Sequence, residues 1–266
     1  MDKQEKQLSL AEIRKISLDI LKDVASFCDE HHIVYYLACG TLLGAVKYKG
    51  FIPWDDDIDI MMPRPDYNRF IDSYDTETFK VLKPSQGMYF YAKVYDTGTI
   101  EKEKGIDYGK YEPIGVNIDV FPLDGIVNDE KTVEQKRKTS AFLETLLRLS
   151  NQPVFYRKNR LKAVNRIIPR MIGSRNLVRM IEKNAMRYDY GQSDYVIRYK
   201  DTPNGFTGAL AKEVYEKTVD LSFEGSMFHV PAGYDEWLKR FYGENYMNHI
   251  PPAEDRRTHL RNAYYI

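Results

Sequence analysis

Residues 50–67 read GFIPWDDDIDIMMPRPDY. Asp55, Asp56 and Asp57 stand in a row, Asp59 follows Ile58, and an apolar run with two prolines comes next. Four like charges beside a stretch apolar enough to be buried face both repulsion and desolvation. A positive group is therefore expected to offset them. DIDIMM over 57–62 alternates polar and apolar, the pattern of a half-buried strand. In an extended chain residues i and i+2 share a face, so Asp57 and Asp59 point together while Ile58 and Ile60 point into a core. Two convergent carboxylates at the end of a buried strand suit a hard divalent cation. Asp119 in VNIDVFPL (116–123), a single acid between Ile118 and Val120, is the candidate third carboxylate. An EF-hand loop starting at Asp55 would need Gly at its sixth position and Glu at its twelfth. Ile60 and Asp66 stand there, so that reading fails. A solvated acidic loop accounts for Asp55 and Asp56 but not for the alternation of Asp57 and Asp59 with isoleucine.

Outward from this stretch, Ser9-Leu10-Ala11-Glu12 has the form of a capping box. Apolar residues at helical spacing follow from Ile13 to Phe27, which predicts a helix to about Asp29. IVYYLA (33–38) reads as a buried strand, and it runs into Cys39-Gly40-Thr41 and a short helix. A strand, a Gly-Thr turn and a helix N-terminus together make a plausible anion site, although lone Gly-Thr turns are common. Pro65 suits the first turn of a helix PDYNRFIDSY. FKVL (79–82) and YFYAKVYD (89–96) add strands, and from about residue 130 the pattern turns helical. Strands first and helices later predict an α+β fold.

The chain has 266 residues with 43% hydrophobic content, enough for a full core. Lys+Arg and Asp+Glu are both 39, so no overall charge points to nucleic acid. Two cysteines, Cys28 and Cys39, are too few for a disulfide scaffold and fit a reducing cytosol. The polar N-terminus lacks an apolar signal core, and no run of about 18 apolar residues exists to span a membrane. These features give the expectation of a cytoplasmic protein. Charge is uneven, however. Between residues 157 and 187 ten basic residues face a single acid, Glu182, with apolar residues interleaved. Such a segment can lie on an anionic membrane surface or hold a phosphate-rich partner, or it can be a solvated helix face.

CGTLLGAVKYKGFIPWDDDIDIMMPRPDY closely resembles the signature of the LicD family, phosphocholine transferases related to fukutin and fukutin-related protein. The resemblance continues at YAKVYDTGT, IDVFPLDG, VPAGYDEWLKRFYGENYMNHIPP and the RRTH that follows, covering most of 30–125 and 224–260. Residues 130–210 carry no matching motif. The resemblance implies a nucleotidyltransferase-like mixed sheet core with an N-terminal helix and helical additions. The divisions expected are a catalytic core at 1–125, a mainly helical basic region at 126–205, and a C-terminal segment at 206–266 packing back on the core.

The implied reaction is Mg²⁺- or Mn²⁺-dependent transfer of phosphocholine from CDP-choline to a sugar hydroxyl of a cell-wall or teichoic-acid precursor, with release of CMP. In that reading Asp57, Asp59 and Asp119 are the catalytic, metal-holding carboxylates, and Asp119 is also a candidate base. Gly40, Thr41 and Lys93 contact phosphate, and Arg256 and His259 match a terminal Arg-x-x-His pattern of acceptor or phosphate contacts. The acceptor is expected to be lipid-linked, with membrane contact through 157–187. Choline, a quaternary ammonium, calls for aromatic faces, and Trp54, Tyr108 and Tyr111 are the candidates. Two alternatives stand beside this: a transferase using CDP-ribitol or a nucleotide-sugar, and a non-enzymatic membrane-surface protein.

Overall fold

The structure is a computed structural model that describes residues 6–153, 164–198, 209–248, 250 and 261–266. Helix α1 (Leu10–Glu30) begins at Ser9, whose hydroxyl accepts the Glu12 N–H while the Glu12 carboxylate accepts the Ser9 N–H. This is the capping box that the sequence spells. Strand β1 (Tyr36–Leu37) is shorter than the apolar run predicts. Its ladder to β2 (Asp59–Pro63) spans only Tyr36↔Met61 and Leu37↔Ile60. Cys39 then takes a φ of 49°, in the left-handed region that L side chains rarely adopt, and the chain turns into α2 (Cys39–Tyr48). Helix α3 (Arg64–Ser73) carries Pro65 in its first turn. Then come β3 (Phe79–Leu82), β4 (Ala92–Asp96), β5 (Thr99–Glu101) and the long β6 (Asn117–Ile126).

The main sheet has the order β1-β2-β6-β4-β3. Strands β2 and β6 run parallel, and the other pairs are antiparallel. Residues Ile60, Val120 and Ala92 are fully buried. They share one core with Ile20, Leu21 and Val24 of α1 and with Tyr67 and Phe70 of α3. The next residues along each strand, Asp59, Asp119 and Lys93, belong to the opposite face by strand alternation.

Helices α4 (Glu130–Asn151), α5 (Val164–Ile172) and α6 (Ser174–Ala185) follow, with a small core of their own between Leu143 and Leu147 of α4 and Leu177, Val178 and Ile181 of α6. Here the expected order of strands first and helices later ends. Strand β7 (Tyr195–Arg198) comes after the helices and pairs with the second half of β6, Leu123 opposite Arg198 and Ile126 opposite Tyr195. It then pairs with β8 (Leu210–Ala211). Four residues are too few for periodicity to reveal a strand. The class is α+β throughout.

Strands β9 (Thr218–Phe223) and β10 (Ser226–Pro231) form a hairpin through Glu224 and Gly225, both at positive φ, as a two-residue hairpin turn requires. The Glu224 carboxylate accepts the Phe51 N–H at 3.0 Å, which ties this turn to the start of the acidic loop. Helix α7 (Tyr234–Tyr242) buries Trp237 stacked on Phe241. Strand β11 (Ala263–Tyr265) pairs with β5 and brings Arg261 to the sheet. No helix among the described residues is long and apolar enough to cross a membrane.

Candidate active site

Parallel pairing sets Asp59 directly opposite Asp119, and antiparallel pairing sets Lys93 opposite Asp119 on the other side. The three residues form one row across β2, β6 and β4. Lys93 is buried, and its ammonium donates to Asp119 Oδ1 at 2.6 Å and to Asn117 Oδ1 at 3.0 Å. Burial opposes its charge, but the carboxylates of Asp119 and Glu103 outweigh that and hold Lys93 above the ordinary lysine range. Lys93 is thus a fixed cation beside the carboxylate row.

Asp57 lies just before β2. Ile58 next to it is fully buried, while Asp57 and Asp59 stay half-buried, so the expected alternation is present. The Ile58 carbonyl accepts the Asp119 N–H at 2.9 Å, extending the register one residue past the ladder. Asp55, Asp56 and Asp57 each offer an oxygen within 4.8 Å of the others. Asp55, which the sequence offers as a loop acid able to assist the pair from outside, packs directly against the turn at Gly40. Its Oδ2 lies 2.7 Å from where a Cβ on Gly40 would stand, closer than Cβ contacts allow, so the glycine makes room for a carboxylate. Burial, and then the negative charge of Asp57, push the Asp55 carboxyl well up. Burial, and then Asp57 and Asp119, do the same to Asp59. Among the described residues the acid triad at ligand spacing is Asp55–Asp56–Asp57, while Asp59 and Asp119 adjoin it through the strand register and not at that spacing. These oxygen donors, crowded enough to resist ionising alone, fit a hard divalent cation.

The loop that carries these acids is held from three sides. Arg14 of α1 donates to the carbonyls of Ile52, Pro53 and Asp55 at 2.6–3.1 Å, and its guanidinium lies over the Phe51 ring. Glu224 holds Phe51, as above. The Thr41 hydroxyl accepts the Asp59 N–H at 2.9 Å. Thr41 therefore spends its hydroxyl on the start of β2, while Gly40 sits in the first turn of α2 against Asp55.

Further cations surround the row. Arg261 pairs with Glu101 at 3.1 Å, donates to the Asn117 carbonyl, and feels the charge of Asp56, Asp57 and Asp119. Arg198, at the end of β7, lies over Phe121 with Nη1 2.6 Å from Cys39 Sγ, and it acts electrostatically on Asp59. Tyr242, the last residue of α7, is half-buried, and its hydroxyl feels the charge of Cys39, Asp59 and Asp55. Sequence reasoning missed Arg198, Arg261 and Tyr242. Tyr242 alone had a signal, since it falls within the FYGEN segment of the C-terminal motif.

The aromatic candidates separate. Trp54 is half-buried and adjoins Asp55. The Tyr108 hydroxyl accepts the Glu103 N–H at 2.7 Å, one residue removed from the surroundings of Lys93. Tyr111 is not brought to the acids. Its hydroxyl bonds Gly87, Asn151 and Ser174, its ring lies under Lys110, and it lines a cavity of about 610 Å³ that none of the four aspartates reaches. Arg256 and His259 lie outside the described residues.

The fold and the site together define an α+β protein whose carboxylates converge at a Gly-Thr turn. Residues 32–155 match a family model described as "LicD/FKTN/FKRP, nucleotidyltransferase domain". Over 277 residues, 98% of this chain and the whole of the relative, the sequence is 32% identical to "Lipopolysaccharide cholinephosphotransferase LicD" of Haemophilus influenzae. Shorter matches reach uncharacterized proteins of Rickettsia typhi, 39% identical over 26% of this chain and 23% of the relative, and of Rickettsia prowazekii, 40% over 22% and 23%. The chain belongs to the LicD family and is a transferase of that type.

Proposed function

We propose that the protein transfers phosphocholine from CDP-choline to a sugar hydroxyl of a cell-surface glycan precursor and releases CMP. The observation that carries this reading is the row Asp59–Asp119–Lys93, with Asp57 and Asp55 beside it. The named activity of the Haemophilus influenzae relative supports the transferred group. The acceptor oxygen forms a bond to the phosphorus that bears choline, the bond from that phosphorus to the CMP oxygen breaks, and the hydroxyl proton leaves to solvent or a carboxylate.

Asp57, Asp59 and Asp119 would hold Mg²⁺ or Mn²⁺, with Asp55 an additional oxygen donor. When bound, the cation screens the donor's phosphoryl charge and stabilises the charge that develops during transfer. The chain's own residues do the rest. Lys93 fixes the Asp119 carboxylate and favours its use as an oriented ligand over use as a base. Arg198 and Arg261 raise the positive potential on either side of the acid row, where a diphosphate would lie. Gly40 and Thr41 stand in the first turn of α2, where backbone N–H groups lack intrahelical acceptors and would be offered to a phosphate.

The α5–α6 surface supports a lipid-linked acceptor. Ile167, Ile168 and Met171 of α5 are more than half exposed, and Arg175, Arg179 and Lys183 line the exposed side of α6 at four-residue spacing. Apolar side chains beside a basic stripe suit an anionic bilayer. In this reading the protein works at the inner face of the membrane.

The test is to incubate the protein with CDP-choline, Mg²⁺ and a lipid-linked glycan acceptor and to measure CMP. Metal-dependent release, lost in Asp57→Asn, is the expected result. Turnover of CDP-ribitol or a nucleotide-sugar in place of CDP-choline would move the activity to another donor within the same class. Full activity in Asp57→Asn would remove the metal assignment.

A further inference from the structure

One side chain away from Asp119, three consecutive aromatic residues, Tyr89, Phe90 and Tyr91, line a cavity of about 490 Å³. Tyr89 and Tyr91 have ring centroids 5.8 Å apart, and Phe90 stands edge-on to Tyr91 at 5.0 Å. Glu103 and Glu144 also line the cavity and are half-buried, whereas its basic members, Lys104 and Arg148, are exposed at the rim. Tyr89 and Glu103 belong both to this wall and to the surroundings of the reactive row. The Lys93 ammonium lies 4.6 Å from the Tyr89 ring centroid and 3.9 Å from Glu103, and it bonds Asp119 at 2.6 Å. The Tyr89 hydroxyl donates to Glu103, which fixes the ring and the carboxylate relative to each other.

Resting on the phosphocholine reading above, we infer that this cavity receives the trimethylammonium group of the donor, with Tyr89 as its principal ring and Glu103 as its counter-charge. A quaternary ammonium offers no N–H, so hydrogen-bond acceptors alone cannot select it. Ring faces and a nearby carboxylate can. The Lys93 ammonium, held by Asp119 and Asn117, lies 4.6 Å from the Tyr89 centroid and 5.6 Å from the Tyr91 centroid, so a positive charge is accommodated beside these rings. An oxygen and two carbons separate the donor's phosphorus from its nitrogen. With phosphorus at the Asp59–Asp119 row, the nitrogen therefore falls about one side chain away, the offset between that row and Tyr89. The walls come from β4's entry segment, the 103–106 loop and α4, so the pocket joins the sheet core to the helical layer.

The experiment measures the binding of CDP-choline and of CMP by calorimetry, together with CMP release, for wild type, Tyr89→Leu, Tyr89→Phe and Glu103→Gln. Circular dichroism and melting serve as fold controls. In wild type CDP-choline should bind more tightly than CMP. Tyr89→Leu should weaken CDP-choline by about tenfold and leave CMP unchanged, whereas Tyr89→Phe, which keeps the ring, should stay within about threefold. Glu103→Gln should weaken CDP-choline selectively as well, which keeps the inference testable if Tyr89→Leu fails to fold. Tyr89→Leu and Glu103→Gln proteins that fold and keep the wild-type preference for CDP-choline over CMP would overturn the pocket. So would a wild type that binds the two equally, even with transfer intact. A wild type that prefers CDP-choline through Tyr89 but transfers nothing to any glycan would uphold the pocket and overturn the reaction.

Discussion

Asp59 and Asp119 are register partners on two parallel neighbouring strands, so the sheet itself brings together two acids that are 60 residues apart in sequence. Lys93, the antiparallel partner of Asp119, closes the row on the far side. Their alignment comes from backbone hydrogen bonding and not from a flexible loop. A site built on adjacent strands holds its side chains with little freedom, which is what the proposed metal-assisted transfer would ask of it.

Crowding of the aspartates predicts opposite effects with and without metal. In metal-free protein Asp59→Asn removes one like charge from beside Asp57 and Asp119 and should raise the melting temperature by about 3 °C. In millimolar Mn²⁺ wild type should gain stability and the variant should gain little, because the cation binds only the folded carboxylate set. Transfer activity of the variant should fall at least about a hundredfold. Thermal melts with and without Mn²⁺ check the first two, and CMP release checks the third. Equal stabilisation of both proteins by Mn²⁺ would count against Asp59 as a ligand.

Not every acid of the long motifs belongs to this chemistry. Asp124, in the IDVFPLDG segment, is almost wholly buried and accepts two bonds from Arg64, at 2.6 and 2.8 Å. The pair locks α3 to β6 with both charges out of water. Asp124→Asn leaves the Arg64 guanidinium buried without its counter-ion and should cost about 3–5 kcal/mol. Urea unfolding should show that loss, while KM for CDP-choline measured well below the transition should stay within about twofold. A change in KM with unchanged stability would assign Asp124 to substrate instead.

How much of this could be read from the sequence follows from the range of each interaction. The capping box at Ser9, the strand FKVL and the alternation of Asp57 and Asp59 with isoleucine are local patterns, and they appear where the sequence puts them. Asp119 stands out in the sequence because a lone acid between Ile118 and Val120 departs from its surroundings. Arg198 and Arg261 are different. Nothing in VIRY or RNAY marks either arginine, since their positions depend on β7 pairing with β6 and β11 with β5. Asp55 reads in the sequence as a loop acid able at most to assist the metal pair from outside, because sequence cannot show that Gly40 leaves space for its carboxylate. The return of strands after the helices was hidden for a similar reason, as β7 and β8 hold four and two residues and have no period to detect.

A buried lysine in the helical layer supplies a pH prediction. The Lys136 ammonium donates to the Ala185 carbonyl at 2.7 Å, and burial lowers its pKa from 10.5 to about 8. Below the folded value both folded and unfolded chains carry the proton, and the folded state bears the cost of the buried charge. Between that value and the ordinary one the unfolded chain holds a proton that the folded chain has released, so stability contributed by this residue rises with pH. Relative to Lys136→Met, wild type should gain about 3 kcal/mol across this window. Paired urea titrations at several pH values check it, because other titrating groups cancel in the difference. A difference that stays constant with pH would show that Lys136 keeps its ordinary titration.

The α5–α6 surface yields a prediction that needs no assumption about catalysis. Ile168 is 68% exposed and Met171 81%, on a helix turn next to Arg175, Arg179 and Lys183. A bilayer contact made this way draws on two separable sources, burial of apolar side chains and attraction to anionic headgroups. Each can be removed alone. Flotation with phosphatidylglycerol-containing vesicles at low salt should recover the protein with lipid, and vesicles of phosphatidylcholine alone should not. Arg175→Glu with Arg179→Glu should abolish recovery, since about 1 kcal/mol attaches to each basic residue near the surface and the substitution reverses its sign. Ile168→Asp with Met171→Asp should weaken recovery even though both basic residues remain, and CMP release with a soluble acceptor should be unaffected in either variant. Binding that survives both pairs of substitutions would place the contact elsewhere. Absence of binding at low salt in wild type would make α5–α6 a solvated face.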